Sequence, residues 1–96
     1  MTTSRDIEAI IAQVQQKLPQ VNVHQHLVSH PGVDDDGVWW FSLPGIEKDI
    51  QIESSSGTCP FLVEHDDMTS RNQAQQGRTV EEIVGMIVSY LTAKVP

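Results

Sequence analysis

The sequence predicts an α+β fold: a two-layer sandwich in which an antiparallel sheet of three to four strands carries an N-terminal and a C-terminal helix on one face. Three observations lead there. Apolar residues recur at helical spacing near both ends of the chain. Between them, from Val38 to Glu64, apolar and polar residues alternate in short runs, and this stretch holds both tryptophans, both phenylalanines and the single cysteine. The breaks between those runs are built from Pro, Gly and Ser, the chemistry of tight hairpin turns.

The first helix is read from Ser4 to Leu18, where Ile7, Ile10, Ile11, Val14 and Leu18 fall on one stripe. Ser4 or Thr3 is expected to cap its first turn, Asp6 and Glu8 suit the positive end of the dipole, and Lys17 suits the negative end. Pro19 stops it, because a residue preceding proline is pushed out of the helical region. A strand follows over Val21 to Val28, with Val21, Val23 and Leu27 on one face and His24, His26 and Val28 on the other. His30 to Gly37, with three consecutive aspartates, reads as a solvated surface loop.

The central run supplies three strands. Val38 to Leu43 is short and aromatic and ends at Pro44-Gly45, a turn dipeptide. Asp49 to Ser54 alternates, Ile50 and Ile52 against Gln51 and Glu53, as a sheet with one wet face does. Pro60 to Glu64 resumes the pattern after the Ser54 to Thr58 turn, with Phe61 and Val63 opposite Leu62 and Glu64. From His65 to Arg78 no apolar period exists, and the segment is expected to be a long exposed loop of about 14 residues. Thr79 and Glu82 then fit a capping box, opening a helix whose buried stripe is Val80, Ile83, Val84, Ile87, Val88 and Leu91, with Met86 and Tyr90 along one edge. Gly85, costly in a helix, is expected to mark a close approach by a neighbouring element.

A length of 96 residues fits one domain, spanning 1–96, and composition is globular, with 39% hydrophobic and 20% charged residues. No window is apolar enough for a membrane span, no secretory signal opens the chain, and one cysteine cannot pair internally, so a cytoplasmic protein is expected. Six basic against thirteen acidic residues give a formal charge of -7, which disfavours nucleic acid and favours basic partners.

No nucleophile elbow, phosphate loop or dinucleotide fingerprint occurs, so the residues carry no catalytic signature, and neither a cofactor nor a metal is expected. His24 and His26, two apart on a strand, permit a metal-dependent enzyme with nearby carboxylates from Asp34 to Asp36, but this spacing alone supplies only two ligands. Cys59 has no Lys or Arg within ten residues to activate it and reads as a small buried hydrophobe. Ser54 to Thr58 has the makings of an anion-holding turn but reads as a hairpin.

The sharpest signal is the pair Trp39 and Trp40. Adjacent residues on a strand face opposite ways, so one tryptophan must leave the core side. With Trp39, Phe41, Ile50, Ile52, Phe61 and Val63 under the helices, the other face gathers Trp40, Gln51, Glu53, Leu62 and Glu64. An aromatic ringed by carboxylates suits a basic protein partner, because aromatics anchor and acids steer. The function expected is therefore an acidic protein-interaction or inhibitor module that masks a basic partner, in the manner of small bacterial immunity-type inhibitors, a class analogy and not a family resemblance. The alternatives are the His24/His26 enzyme and a structural homodimer with a ligand pocket, built through Trp40 or the Met86 and Tyr90 edge.

Overall fold

The computed structural model describes residues 5–26, 38–54, 57–68 and 74–95. Among them the elements run α1 (Asp6–Lys17), β1 (Asn22–His26), β2 (Val38–Ser42), β3 (Ile50–Glu53), β4 (Phe61–His65), β5 (Gln75–Gly77) and α2 (Val80–Ala93). The strands form one antiparallel sheet in simple sequential order, β1 and β5 at its edges. Both helices send their apolar stripes into the same cluster as one face of that sheet, which is the two-layer α+β layout expected from the alternation.

That cluster is built from Ile7, Ile10 and Val14 of α1, from Phe41, Ile50, Ile52, Phe61 and Val63 of the sheet, and from Ile83, Val84, Ile87 and Leu91 of α2. All are at most 2% exposed, and Trp39, Val23 and Leu43 pack partly buried around them. Ladder register explains the sheet's share. Phe41 lies opposite Ile50, and Trp39 opposite Ile52, which in turn lies opposite Val63, so the apolar members of three strands fall in two rows on one face.

The turns follow the residues that demand them. Leu43, Pro44, Gly45 and Ile46 make a hairpin turn closed by the Ile46 N–H donating to the Leu43 carbonyl at 3.2 Å, and Gly45 takes the φ of +78° that this turn type requires. Pro60, at a cis bond after Cys59, stands immediately before β4, where a missing donor is tolerated. Pro19 follows the C-cap Leu18, whose own N–H still donates to Val14.

Three expectations are corrected. The sheet has five strands, because Gln75–Gly77, read as part of a long loop, pairs with β4 through Phe61 opposite Gly77 and Val63 opposite Gln75. An edge strand three residues long, with both glutamines exposed, has no apolar row to reveal it. Its one buried residue is Gly77, where an added Cβ would meet Ile83 Cγ1 at 2.2 Å, so the close approach belongs here. Gly85 faces open space instead, with nothing within 4 Å of an added Cβ.

The third concerns the start of α1. The N-cap is Arg5, which gives no side-chain cap, and tertiary partners take over. Ile7 N–H donates to the Gly57 carbonyl at 2.9 Å, while Asp6 Oδ2 accepts from the Cys59 N–H at 2.8 Å. One N–H of the first turn is thus satisfied by the β3–β4 connection, and the two bonds together pin that connection to α1. At α2 the expected cap is present, with Thr79 Oγ1 accepting from the Glu82 N–H at 3.1 Å.

Candidate functional site

The same alternation that buries one face of the sheet fixes the composition of the other. Across the ladders Trp40 lies opposite His24 on β1 and opposite Gln51 on β3, and Gln51 lies opposite Glu64 on β4. The next row runs from Val38 to Glu53, Leu62 and Gln76. Directly opposed residues share a face in an antiparallel sheet, so Trp40, Gln51, Glu53, Leu62 and Glu64 stand together on the side away from the helices. All five are half-buried, whereas His24 is exposed. The indole Nε1 of Trp40 is shielded from solvent, so its exposed part is not the N–H.

The formal charges that the strands place on this face are of one sign. No lysine or arginine occurs in any of the five strands, and their acids are Glu53 and Glu64, both on this face. They sit on adjacent strands as diagonal neighbours, since Glu53 is opposite Leu62 and Glu64 lies two residues further along β4.

Among the described residues no group of three His, Cys, Asp or Glu side chains is placed to hold a metal ion. Asp34 to Asp36 and His30, the expected companions of His24 and His26, lie outside the described residues, as do Leu27, Val28, Ser55 and Ser56. Ser54 is buried, and its hydroxyl donates to the Thr58 carbonyl at 2.8 Å, closing the turn. Cys59 is half-buried and its thiol is pushed up to about 11, by burial first, then by the Asp6 carboxylate and the charge of Glu82. Such a thiol is protonated and unreactive at neutral pH.

A second polar assembly was not foreseen. Where β4 ends, His65 stacks on Tyr90 of α2, ring centroids 4.3 Å apart, and Lys94 Nζ lies 5.1 Å from the Tyr90 ring centroid. Asp67 receives Lys94 on one carboxylate oxygen and Lys48 Nζ on the other, the latter at 3.2 Å. These two lysines, Lys94 before Lys48, hold the Asp67 carboxyl down to about 2. Beside them, Asp66 Oδ2 accepts from the Asp49 N–H at 2.8 Å, and Asp49 itself is raised by burial and then by the Asp66 charge. The Tyr90 hydroxyl is shielded and pushed up to about 12, by burial first and then by Asp67 and Asp66.

This cluster ties three segments together, with Asp67 paired to both lysines. Its partners come from the start of β3, the end of β4 and the last turn of α2, so no local spacing announces it. Elsewhere, a groove of about 300 Å³ between the end of α1 and β2, lined by Lys17, Leu18, Pro19, Gln20 and Leu43, contains one ionisable side chain, that of Lys17. No helix among the described residues is long and apolar enough to cross a membrane. The chain matches no protein-family model, no curated protein and no solved structure.

Proposed function

We propose that the chain is a small acidic protein-interaction module, of the inhibitor or immunity-like kind, whose helix-free sheet face receives a basic protein partner. One observation carries this reading. Trp40, Gln51, Glu53, Leu62 and Glu64, drawn from three strands, occupy contiguous ladder positions on that face. The face combines an aromatic and a leucine with two carboxylates and no strand lysine or arginine, in a chain of net charge -7. Aromatic and apolar side chains supply contact energy at the centre of an interface, while like-signed charges at its rim accelerate encounter with an oppositely charged partner.

On the same reading the partner is neither nucleic acid nor membrane, since both present anionic surfaces to an anionic chain. A single cysteine, which cannot pair internally, agrees with a cytoplasmic setting. Affinity capture with the immobilised chain tests the proposal. Wild type should retain a basic protein that elutes as salt rises, and Trp40→Ala should lose it while keeping the wild-type melting profile. Recovery of the same proteins by wild type, Trp40→Ala and the double variant Glu53→Gln/Glu64→Gln would remove this face as the site.

A further inference from the structure

We infer that His65 is a proton-sensitive latch on the turn that follows β4, closed while its imidazole is neutral and opened when the ring takes up a proton. The observation behind it is the direction of one hydrogen bond. The Asp67 N–H donates to His65 Nδ1 at 3.3 Å, so the ring is the acceptor. An imidazole accepts only through a nitrogen that carries no hydrogen, which makes the closed form the neutral ring with its single proton on Nε2.

A side chain that accepts from the N–H two residues on is the arrangement of an Asx-turn, in which asparagine or aspartate supplies an oxygen. An amide oxygen accepts at every ordinary pH, whereas Nδ1 accepts only until it is protonated, and histidine is the side chain that changes charge between about pH 5 and 8. A proton on Nδ1 sets two donors against each other, so the contact breaks. The rest of the turn rests on bonds between backbone groups, which do not titrate. Met68 N–H donates to the His65 carbonyl at 3.0 Å, and Asp66 N–H to the Asp49 carbonyl at 3.2 Å. Protonation therefore releases the ring and one N–H without unravelling the turn.

Among the described residues the charged and titratable groups around the ring are Asp66 and Asp67 on its own turn, Lys48 and Asp49 at the approach to β3, and Tyr90 and Lys94 at the end of α2. Glu64, the preceding residue, stands on the other face of the sheet. Three carboxylates against two lysines accommodate a further positive charge, so the imidazolium forms within the folded chain. The stack on Tyr90, at an interplanar angle of 23°, is compatible with either form of the ring, since an aromatic face also receives a cation. Asp67, whose N–H is released, is the residue that gathers Lys48 and Lys94, so the latch acts where β3, β4 and α2 are tied together.

Long-range proton–nitrogen NMR of the full chain, titrated from about pH 8 to about pH 5, tests this. At the alkaline end the His65 ring should carry its proton on Nε2 with Nδ1 bare, and the Asp67 amide signal should titrate with the same midpoint as the ring. Protection of that amide from solvent exchange should fall about threefold or more across the midpoint, as loss of one neutral hydrogen bond implies. His65→Asn, which keeps an acceptor without a titrating ring, should hold the Asp67 amide signal at its alkaline position throughout. His65→Phe, which keeps a ring on Tyr90 without an acceptor, should show the acidic position throughout. A ring protonated on Nδ1 at the alkaline end, or an Asp67 amide that does not follow the ring, would overturn the latch from the wild-type chain alone, whether or not either variant folds. An Asp67 amide that titrates in His65→Asn as it does in wild type would overturn it too.

Discussion

The two faces of the sheet are written in alternate letters of the same strands, yet they answer to different demands. On the inner face Phe41, Ile50, Ile52, Phe61 and Val63 are at most 1% exposed and locked against both helices, so every one is accounted for by the core. On the outer face Trp40, Gln51, Glu53, Leu62 and Glu64 are half-buried and outside that core. The core accounts for the first set and not for the second. A tryptophan and two carboxylates on a surface the core does not use are residues to be explained by binding, which is why the proposed function is placed there.

The contrast can be broken most sharply at two adjacent residues of β3. Ile52→Ala removes a fully buried side chain and should cost about 2–5 kcal/mol, whereas Gln51→Ala, on the opposite face, should stay within about 0.5 kcal/mol of wild type. Urea denaturation of both variants measures this, and a comparable loss at Gln51 would mean that the outer face is also structural. Next in size is Gly77→Ala. Its methyl would enter the space of Ile83, and overpacking of that kind costs about 1–3 kcal/mol. An unchanged denaturation midpoint would show that the edge strand does not sit against α2 as described.

Gly85→Ala should go the other way. With open space around it on a helix surface, the added methyl should stabilise by about 0.4–1 kcal/mol, read as a higher melting temperature. The smallest effect is expected at the Asp67 fastening, which is exposed and concerns neither face directly. Because the folded carboxyl is held below its unfolded value, its contribution is present above about pH 4 and is lost as pH falls toward about 2. Asp67→Asn should therefore lower stability slightly at pH 7 and flatten the acid limb of a stability-versus-pH curve. An acid limb identical to wild type would separate Asp67 from Lys48 and Lys94.

Periodicity made most of this architecture legible before any coordinates. Both helices, the three central strands and the segregation of Trp40 from Trp39 follow from spacings of 3.6 and 2, because burial of one face imposes that spacing. What was illegible was held by contacts without a period. β5 is two exposed glutamines and a glycine, defined by its backbone pairing with Phe61 and Val63 and by what Ile83 leaves room for. In the first turn of α1 the Ile7 N–H finds its acceptor in the Gly57 carbonyl across the fold, and Asp6 there accepts from the Cys59 N–H, pairings no local spacing announces. Likewise, Asp67 finds Lys48 and Lys94 only once α2 has packed on the sheet. The members of the candidate site were readable one strand at a time, but the central place of Gln51 among Trp40, Glu53 and Glu64 needed the register.

The central claim is that the outer face binds and the helical side does not. A photoreactive amino acid placed at Gln51, and in a separate chain at exposed Glu81 on α2, tests it in living cells. The account predicts that position 51 crosslinks a basic protein, that Trp40→Ala abolishes that crosslink, and that position 81 captures nothing comparable. Crosslinking of the same partner from position 81 alone, or from position 51 undiminished by Trp40→Ala, would contradict it.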